Sequence, residues 1–275
     1  MDDGNGGVSR QLKLMALKSL RPPFKYIFIL SHMRSGSTLL VHLLSSHAKI
    51  AGFGEVGIMY RSPAELDELL LKLSDFYKQG RMSQTFALDK LLQNVLLEDK
   101  SILDREDVYP LFLLRDPEQA LPSIGHVYTH VYPEAAPHLA GDLHTATDYY
   151  QSRLACLADY AKNLRRKEPA AFITHNQLLT ETRSVFAFLQ NWLKLDTPFS
   201  EEYRTHQATG KAGIGDFSDT IKTGKIVRGE KHDYATVPPE CILSARTTYN
   251  DCARVLTEVC AVPSSADRES ARAGA

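Results

Sequence analysis

"YIFILSHMRSGSTLLVHLLSSH" (residues 26–47) decides the fold class. Five apolar residues, YIFIL, lead into a tight polar turn, and apolar positions at helical spacing follow from Ser37 to His47. This is a strand, a loop and a helix N-terminus, the layout that cradles nucleotide phosphates in G-x-x-x-x-G-K-[ST] loops. Here Ser31 stands at the first glycine and Ser37 at the lysine. Gly36 lets the backbone approach a ligand closely. The amides of Ser35, Gly36, Ser37 and Thr38 open the helix, so they face an anion with the helix dipole behind them. Arg34 adds charge, and Ser37 and Thr38 add hydroxyl donors. The lysine that clamps β- and γ-phosphates is missing, and no later strand end offers an isolated magnesium-binding aspartate. The loop therefore suits one phosphate better than a metal-bound triphosphate.

Further apolar runs occur at 85–88 (TFAL), 109–114 (YPLFLL) and 171–174 (AFIT). They are short and continuous, as strands buried on both faces are. Helical patterns separate them at 62–79, 145–166, 182–195 and 239–260. In the first, Ser62, Pro63 and Glu65 predict a capping box with Ser62 as N-cap. Strands alternating with helices imply an α/β fold, a P-loop-like parallel sheet flanked by helices on both faces in a single domain. The predicted division is a flexible segment 1–20, a domain 21–262 and a flexible tail 263–275, with residues 1–10 and the last dozen polar and irregular.

The 275 residues carry 32 Lys+Arg and 33 Asp+Glu, a net charge of −1. No general basic field points to nucleic acid, so an anion site must be local. No apolar run approaches the roughly 20 residues of a membrane span, and no leader pattern opens the chain. Cys156, Cys241, Cys252 and Cys260 lack metal-binding spacing and read as thiols in a reducing, cytoplasmic setting.

Ligands of such sheets sit at the carboxyl ends of the strands. That rule selects Ser31 onward, Asp89–Lys90, Arg115–Asp116 and His175. Asp116, before Pro117, reads as a helix N-cap. Arg115 ends a strand and Ser123 follows eight residues later, so the two can grip a second phosphate.

Taken together, HMRSGST (32–38) and the Arg115–Ser123 pair resemble the PAPS-dependent sulfotransferases (PAPS is 3′-phosphoadenosine-5′-phosphosulfate). The first resembles their 5′-phosphosulfate loop in its R-S-G-S-T form, the second their 3′-phosphate pair. FITHNQLL (172–179) resembles a segment after a central strand, with His175 where an aromatic residue usually contacts adenine. GIGDFSDTIKTGKIVRG (213–229) resembles the late loop that closes over the nucleotide. The resemblance runs from about residue 24 to 230. It departs from the family at His175, where tyrosine is usual. The Arg-Lys-Gly triplet of the late loop is absent as such, which leaves both Lys211 and Arg228 for the last cationic contact. Pro122 interrupts the segment carrying Ser123 and predicts a bent or late-starting helix.

The resemblance implies sulfuryl transfer from PAPS to a small acceptor without a metal, with PAP as product. In-line displacement needs a cation on the leaving side and a base on the acceptor. Arg34 and Lys90 are the predicted cations. Glu55, in IAGFGEVG with Gly52, Gly54 and Gly57 around it, is the predicted base; members with the R-S-G-S-T loop often carry a glutamate nearby. His32 is the second choice. The acceptor segments are 56–82 and 124–150. The latter contains His126, His130, Asp142 and Asp148 among tyrosines, which suits an aromatic or alkaloid-like small molecule. The bacterial stand-alone enzymes of natural-product pathways, including cyanobacterial ones of the saxitoxin type, are the suggested group. A P-loop kinase and a non-catalytic PAP-binding protein are the alternatives.

Overall fold

A computed structural model describes residues 4–19, 22–78, 82–130, 143–166, 168–207, 209–210, 218–229, 234 and 236–264. In chain order the elements are α1 (Gly4–Lys18), β1 (Lys25–Ser31), α2 (Ser37–Ser45), β2 (Ile50–Ala51), α3 (Glu65–Phe76), β3 (Phe86–Leu91), β4 (Val108–Leu114), α4 (Pro117–His130), α5 (Leu143–Lys162), β5 (Ala171–Thr174), α6 (His175–Thr180), α7 (Thr182–Leu193) and α8 (Pro239–Val259). Short 3-10 turns at Asn94–Leu96, Lys100–Asp104 and Thr220–Thr223 join them.

The five strands form one parallel sheet in the order β2-β3-β1-β4-β5. β1 lies at its centre, with Leu30 in register with Leu91 on β3 and Phe112 on β4. Alternation along β1 fixes the two layers. Tyr26, Phe28 and Leu30 pack into a core with side chains of α1, α3, α4, α5 and α8. Ile27 and Ile29 pack into a second core with α2, α6 and α7. Helices thus cover both faces, and the continuous apolar runs read from the sequence are this two-sided burial.

Three local expectations change. The N-terminal segment read as irregular is helical from Gly4, and α1 lays Leu17 into the first core beside α3. Lys13 and Lys18 pair with Asp75 and Asp67 of α3, contacts distant in sequence. The second concerns Ser62, which does not cap α3. The helix begins at Glu65, and Ser62 forms a preceding turn whose amide and hydroxyl both donate to Glu65 Oε2, at 2.7 and 2.9 Å. Pro63 and Ala64 occupy that turn, so only the backward half of the capping box forms. Third, α4 starts at Pro117 and runs through Pro122. Asp116 caps it as expected, its Oδ1 accepting from the Glu118 amide at 3.0 Å. The tail from 265 lies outside the described residues. No helix among the described residues is long and apolar enough to cross a membrane.

Candidate active site

The parallel sheet delivers Ser31, Lys90, Arg115 and His175 to one edge, because each sits at or next to the carboxyl end of its strand. The loop after β1 holds its shape through several constraints. Ser31 Oγ is hydrogen-bonded to the Leu113 carbonyl at 2.6 Å and to Ser35 Oγ at 2.7 Å, tying the loop to β4. Arg34 has φ 59 and Gly36 has φ 86. Only glycine adopts the second without cost, and the first is a strained place for an arginine. Gly36 is also the N-cap of α2, so the capping residue has no side chain to cover the helix end. The ring of His175, at the start of α6, packs against this glycine: a Cβ built there would meet His175 Cδ2 at 2.3 Å. A capping box fixes His175 in turn, with Thr174 Oγ1 accepting from the Gln177 amide and Gln177 Oε1 from the Thr174 amide.

Lys90 lies within β3 and is buried. Its Nζ donates to Thr38 Oγ1 on the loop at 3.1 Å and pairs with Glu55 Oε1 at 3.1 Å. The chain turns towards the site at Glu55 through Gly54 (φ 144) and Gly57 (φ 71). Asp89 fixes that turn. Its Oδ1 accepts from the amides of Val56 (3.0 Å) and Lys90 (2.7 Å), and its Oδ2 from Tyr60 Oη (2.8 Å). Burial raises the Asp89 pKa to about 6 despite these three donors.

The second group gathers Arg34, Arg115 and Ser123. Arg34 Nε donates to Ser123 Oγ at 2.8 Å, and an Arg115 Nη donates to the Arg34 carbonyl at 2.9 Å. The expected pair of Arg115 and Ser123 is therefore joined through Arg34, the residue of positive φ. Tyr234 Oη lies 3.4 Å from Ser123 Oγ. Two guanidinium groups and a hydroxyl beside the loop can bind an anion separately from the loop amides.

His32, the second-choice base, borders the loop. It is completely buried; its Nδ1 bonds to the Met33 carbonyl at 2.8 Å and its Nε2 accepts from the Arg115 amide at 3.0 Å. Burial, with the charges of Arg115 and Arg153, lowers its pKa to about 3. Nδ1 is thus held within the turn after β1, and Nε2 links that turn to the end of β4. Arg228 is anchored by the Leu179 carbonyl, Thr182 Oγ1 and Glu201 Oε2, each at 2.8 Å, at the end of α6 away from His175. Lys211 and Asp142 lie outside the described residues, as does the His130 side chain. His126 packs against Tyr234 with ring centroids 5.2 Å apart, and Asp148 is exposed.

Sequence reasoning missed one face of α5. Tyr149 Oη accepts from the Met33 amide and donates to the Leu92 carbonyl, both at 2.9 Å. Tyr150 Oη donates to the Arg115 carbonyl at 2.7 Å. Arg153 reaches the Ser31 and Leu91 carbonyls. The signal was present: three polar side chains at positions i, i+1 and i+4 of a helix that must pack on the sheet.

No family model matches the chain, and no curated protein matches it in sequence. Among solved structures it is similar to the sulfotransferase domain from the curacin biosynthetic pathway, with a TM-score of 0.51 and 16% identity over 86% of this chain and 98% of that one. Two structures of retinol dehydratase with PAP, one with retinol and one with androsterone, align with a TM-score of 0.38 and 14% identity. They cover 91% and 90% of this chain and 85% and 84% of theirs. With its five parallel strands, two helical layers and a strand–loop–helix at the centre, the chain has the fold of a sulfotransferase domain.

Proposed function

We propose that this protein transfers the sulfuryl group of PAPS to a hydroxyl or amine of a small acceptor and releases PAP. The observation that carries the reading is Lys90: its buried ammonium bridges Thr38 of the phosphate loop and the carboxylate of Glu55. The proposed leaving-side cation and the proposed base for the acceptor thereby stand 3.1 Å apart beside the loop. In the proposed reaction Glu55 takes the acceptor proton as the acceptor oxygen bonds to sulfur. The bond from sulfur to the bridging phosphate oxygen breaks, and charge growing on that oxygen meets Lys90 and the loop amides of Ser35, Gly36, Ser37 and Thr38. No metal ion is needed, because the ammonium and amides supply the positive charge.

The nucleotide's 3′-phosphate is assigned to Arg34, Arg115 and Ser123, an assignment supported by their convergence beside the loop. His175 is assigned to the underside of the loop, and its part in adenine contact is secondary to that packing. Either Lys211 or Arg228 is proposed for the last cationic contact to the 3′-phosphate. The acceptor is proposed to be aromatic or alkaloid-like, against residues 56–82 and 124–150. The four cysteines are free, which supports a reducing cytoplasm.

A thermal-shift comparison tests the reading. PAP should stabilise the protein by mass action and AMP much less, with magnesium making no difference. PAPS should be consumed only in the presence of an acceptor, detected by mass spectrometry over an acceptor panel. Equal stabilisation by ATP with magnesium would turn the assignment to a kinase. PAP binding without turnover of PAPS against any acceptor would leave a PAP-binding protein.

A further inference from the structure

Arg153 is among the largest fully buried side chains of the protein, at 1% exposure. It sits on α5, and its three hydrogen-bonding nitrogens go to three oxygens. Nε donates to the Ser31 carbonyl at 2.8 Å, one Nη to the Leu91 carbonyl at 2.7 Å and the other to Asn94 Oδ1 at 2.9 Å. Ser31 is the last residue of β1 and Leu91 the last of β3. The paired register of these strands ends at Leu30 and Leu91. Beyond it β1, still paired with β4 at Ser31, turns into the loop, and β3 turns towards Asn94. One guanidinium donates to the end carbonyls of both strands.

A guanidinium is a cation with five donors and no acceptor. Among the described residues no carboxylate pairs with it; its acceptors are neutral, and the Tyr160 ring lies 5.8 Å away. A buried charge is costly unless its hydrogen bonds are made. The geometry of the two strand ends is therefore bound tightly to this one side chain. What those ends carry is the phosphate loop on one side and Lys90 on the other.

We propose that Arg153 is a positioning residue that fixes Lys90 relative to the phosphate loop. The proposal rests on the sulfuryl-transfer reading for its catalytic consequence, but the clamp itself does not. The loop amides lie between β1 and the first turn of α2, and the loop keeps its ties to β4 and Arg115, so a phosphate can still bind them when the clamp is cut. The ammonium of Lys90 comes from β3, so its alignment with the bound donor cannot survive in the same way. Neighbouring Tyr149 ties the Met33 amide to the Leu92 carbonyl, two residues past the end of β1 and one past the end of β3, and restrains larger movement.

The test uses the full chain with Arg153→Met, which keeps the bulk and removes the donors, and Arg153→Lys, which keeps the charge and one or two donors. Amide hydrogen exchange should rise at residues 31–33 and 91–94 in Arg153→Met and stay unchanged in β4 and β5. PAP affinity should stay within about threefold of the parent. Turnover of PAPS should fall by about 10- to 100-fold, the scale expected for misplacement of a reacting group by about an ångström. Arg153→Lys should recover part of that turnover. Equal losses of PAP affinity and turnover, or faster exchange across the whole sheet, would mean that Arg153 only supports the fold. Should Arg153→Met fail to fold, Asn94→Ala removes one of the three acceptors. It should give the same local pattern at smaller size, and unchanged exchange and turnover there would overturn the clamp. Should the parent protein neither bind PAP nor consume PAPS, the functional reading fails. Exchange then decides the clamp alone, a local rise supporting it and no rise overturning it.

Discussion

Lys90 Nζ stands 3.1 Å from Glu55 Oε1, with the lysine side chain 1% exposed and the glutamate 28% exposed. The cation is thus on the closed side of the pair and the carboxylate on the open side, where an acceptor can arrive. Glu55→Gln keeps an oxygen for Lys90 and removes the basicity. Stability and PAP affinity should change little, while turnover of PAPS should fall by about 10²- to 10⁴-fold, the usual worth of a general base. Steady-state kinetics beside calorimetry of PAP binding checks this. Normal turnover in Glu55→Gln removes the carboxylate from the mechanism.

Arg115 has two duties, as a proposed phosphate ligand and as a donor to the carbonyl of Arg34. Arg115→Ala should therefore weaken both PAP and AMP, but PAP more. The difference should be roughly 1.5–3 kcal/mol, the range for a hydrogen bond to a charged group. Titration of the variant with each nucleotide gives the two losses directly. Equal losses would place the whole effect in the loop, through the strained backbone of Arg34, and would leave the 3′-phosphate to other residues.

The legible part of the fold was the part that local pattern determines. β1, β4 and β5 are continuous apolar runs, and each matches the expected segment to within a residue. β3 extends past its apolar run because Asp89 and Lys90 are buried in the strand through partners elsewhere: Val56, Tyr60, Thr38 and Glu55. β2 is two residues long and leaves no periodic trace. The helix α1 starts among glycines that argue against it, and its order comes from α3, far along the chain. In the candidate site, the strand–loop–helix after β1 was readable because one short segment holds it. Arg153, by contrast, acts on two backbone carbonyls distant in sequence, and carbonyls carry no sequence signal. The contacts of His32 were hidden for the same reason, since its partners are also backbone groups.

Gly36 and His175 form a second pair whose coupling can be measured. Gly36→Ala is strained twice, by φ 86 and by the 2.3 Å approach to His175 Cδ2. The left-handed conformation alone costs a non-glycine residue about 1–2 kcal/mol, and the steric overlap adds to it. The single variant should lose stability and bind PAP weakly. His175→Ala in that background should restore the steric part and leave the conformational part. Chemical denaturation of the four proteins in this cycle gives the interaction energy. Strict additivity would show that His175 moves aside freely and does not brace the loop.

Acid should destabilise the protein through histidines held neutral. Burial lowers the pKa of His32 and of His175 to about 3, with the charge of Arg115 adding to each. The unfolded chain returns them to about 6.5. Between pH 6.5 and 3 the unfolded state therefore binds more protons, so stability is fully present above pH 6.5 and is lost as the pH falls. Asp89 acts oppositely, its pKa raised by burial to about 6 from an ordinary 3.8. Its contribution is present below that ordinary value and is lost as the pH rises through about 6. Near pH 5 the two histidines outweigh the single aspartate, so these three groups together give a loss of stability on acidification. Each proton of difference corresponds to about 1.4 kcal/mol per pH unit. Urea denaturation of the parent and of His175→Gln from pH 7 to 4.5 isolates one histidine. The variant is expected to be less stable at pH 7, and its deficit should shrink as the pH falls, by about that slope. A deficit that stays constant across the range would show that His175 is protonated as readily in the folded protein as in the unfolded chain, and the packing of its neutral ring beneath Gly36 would no longer account for the loop.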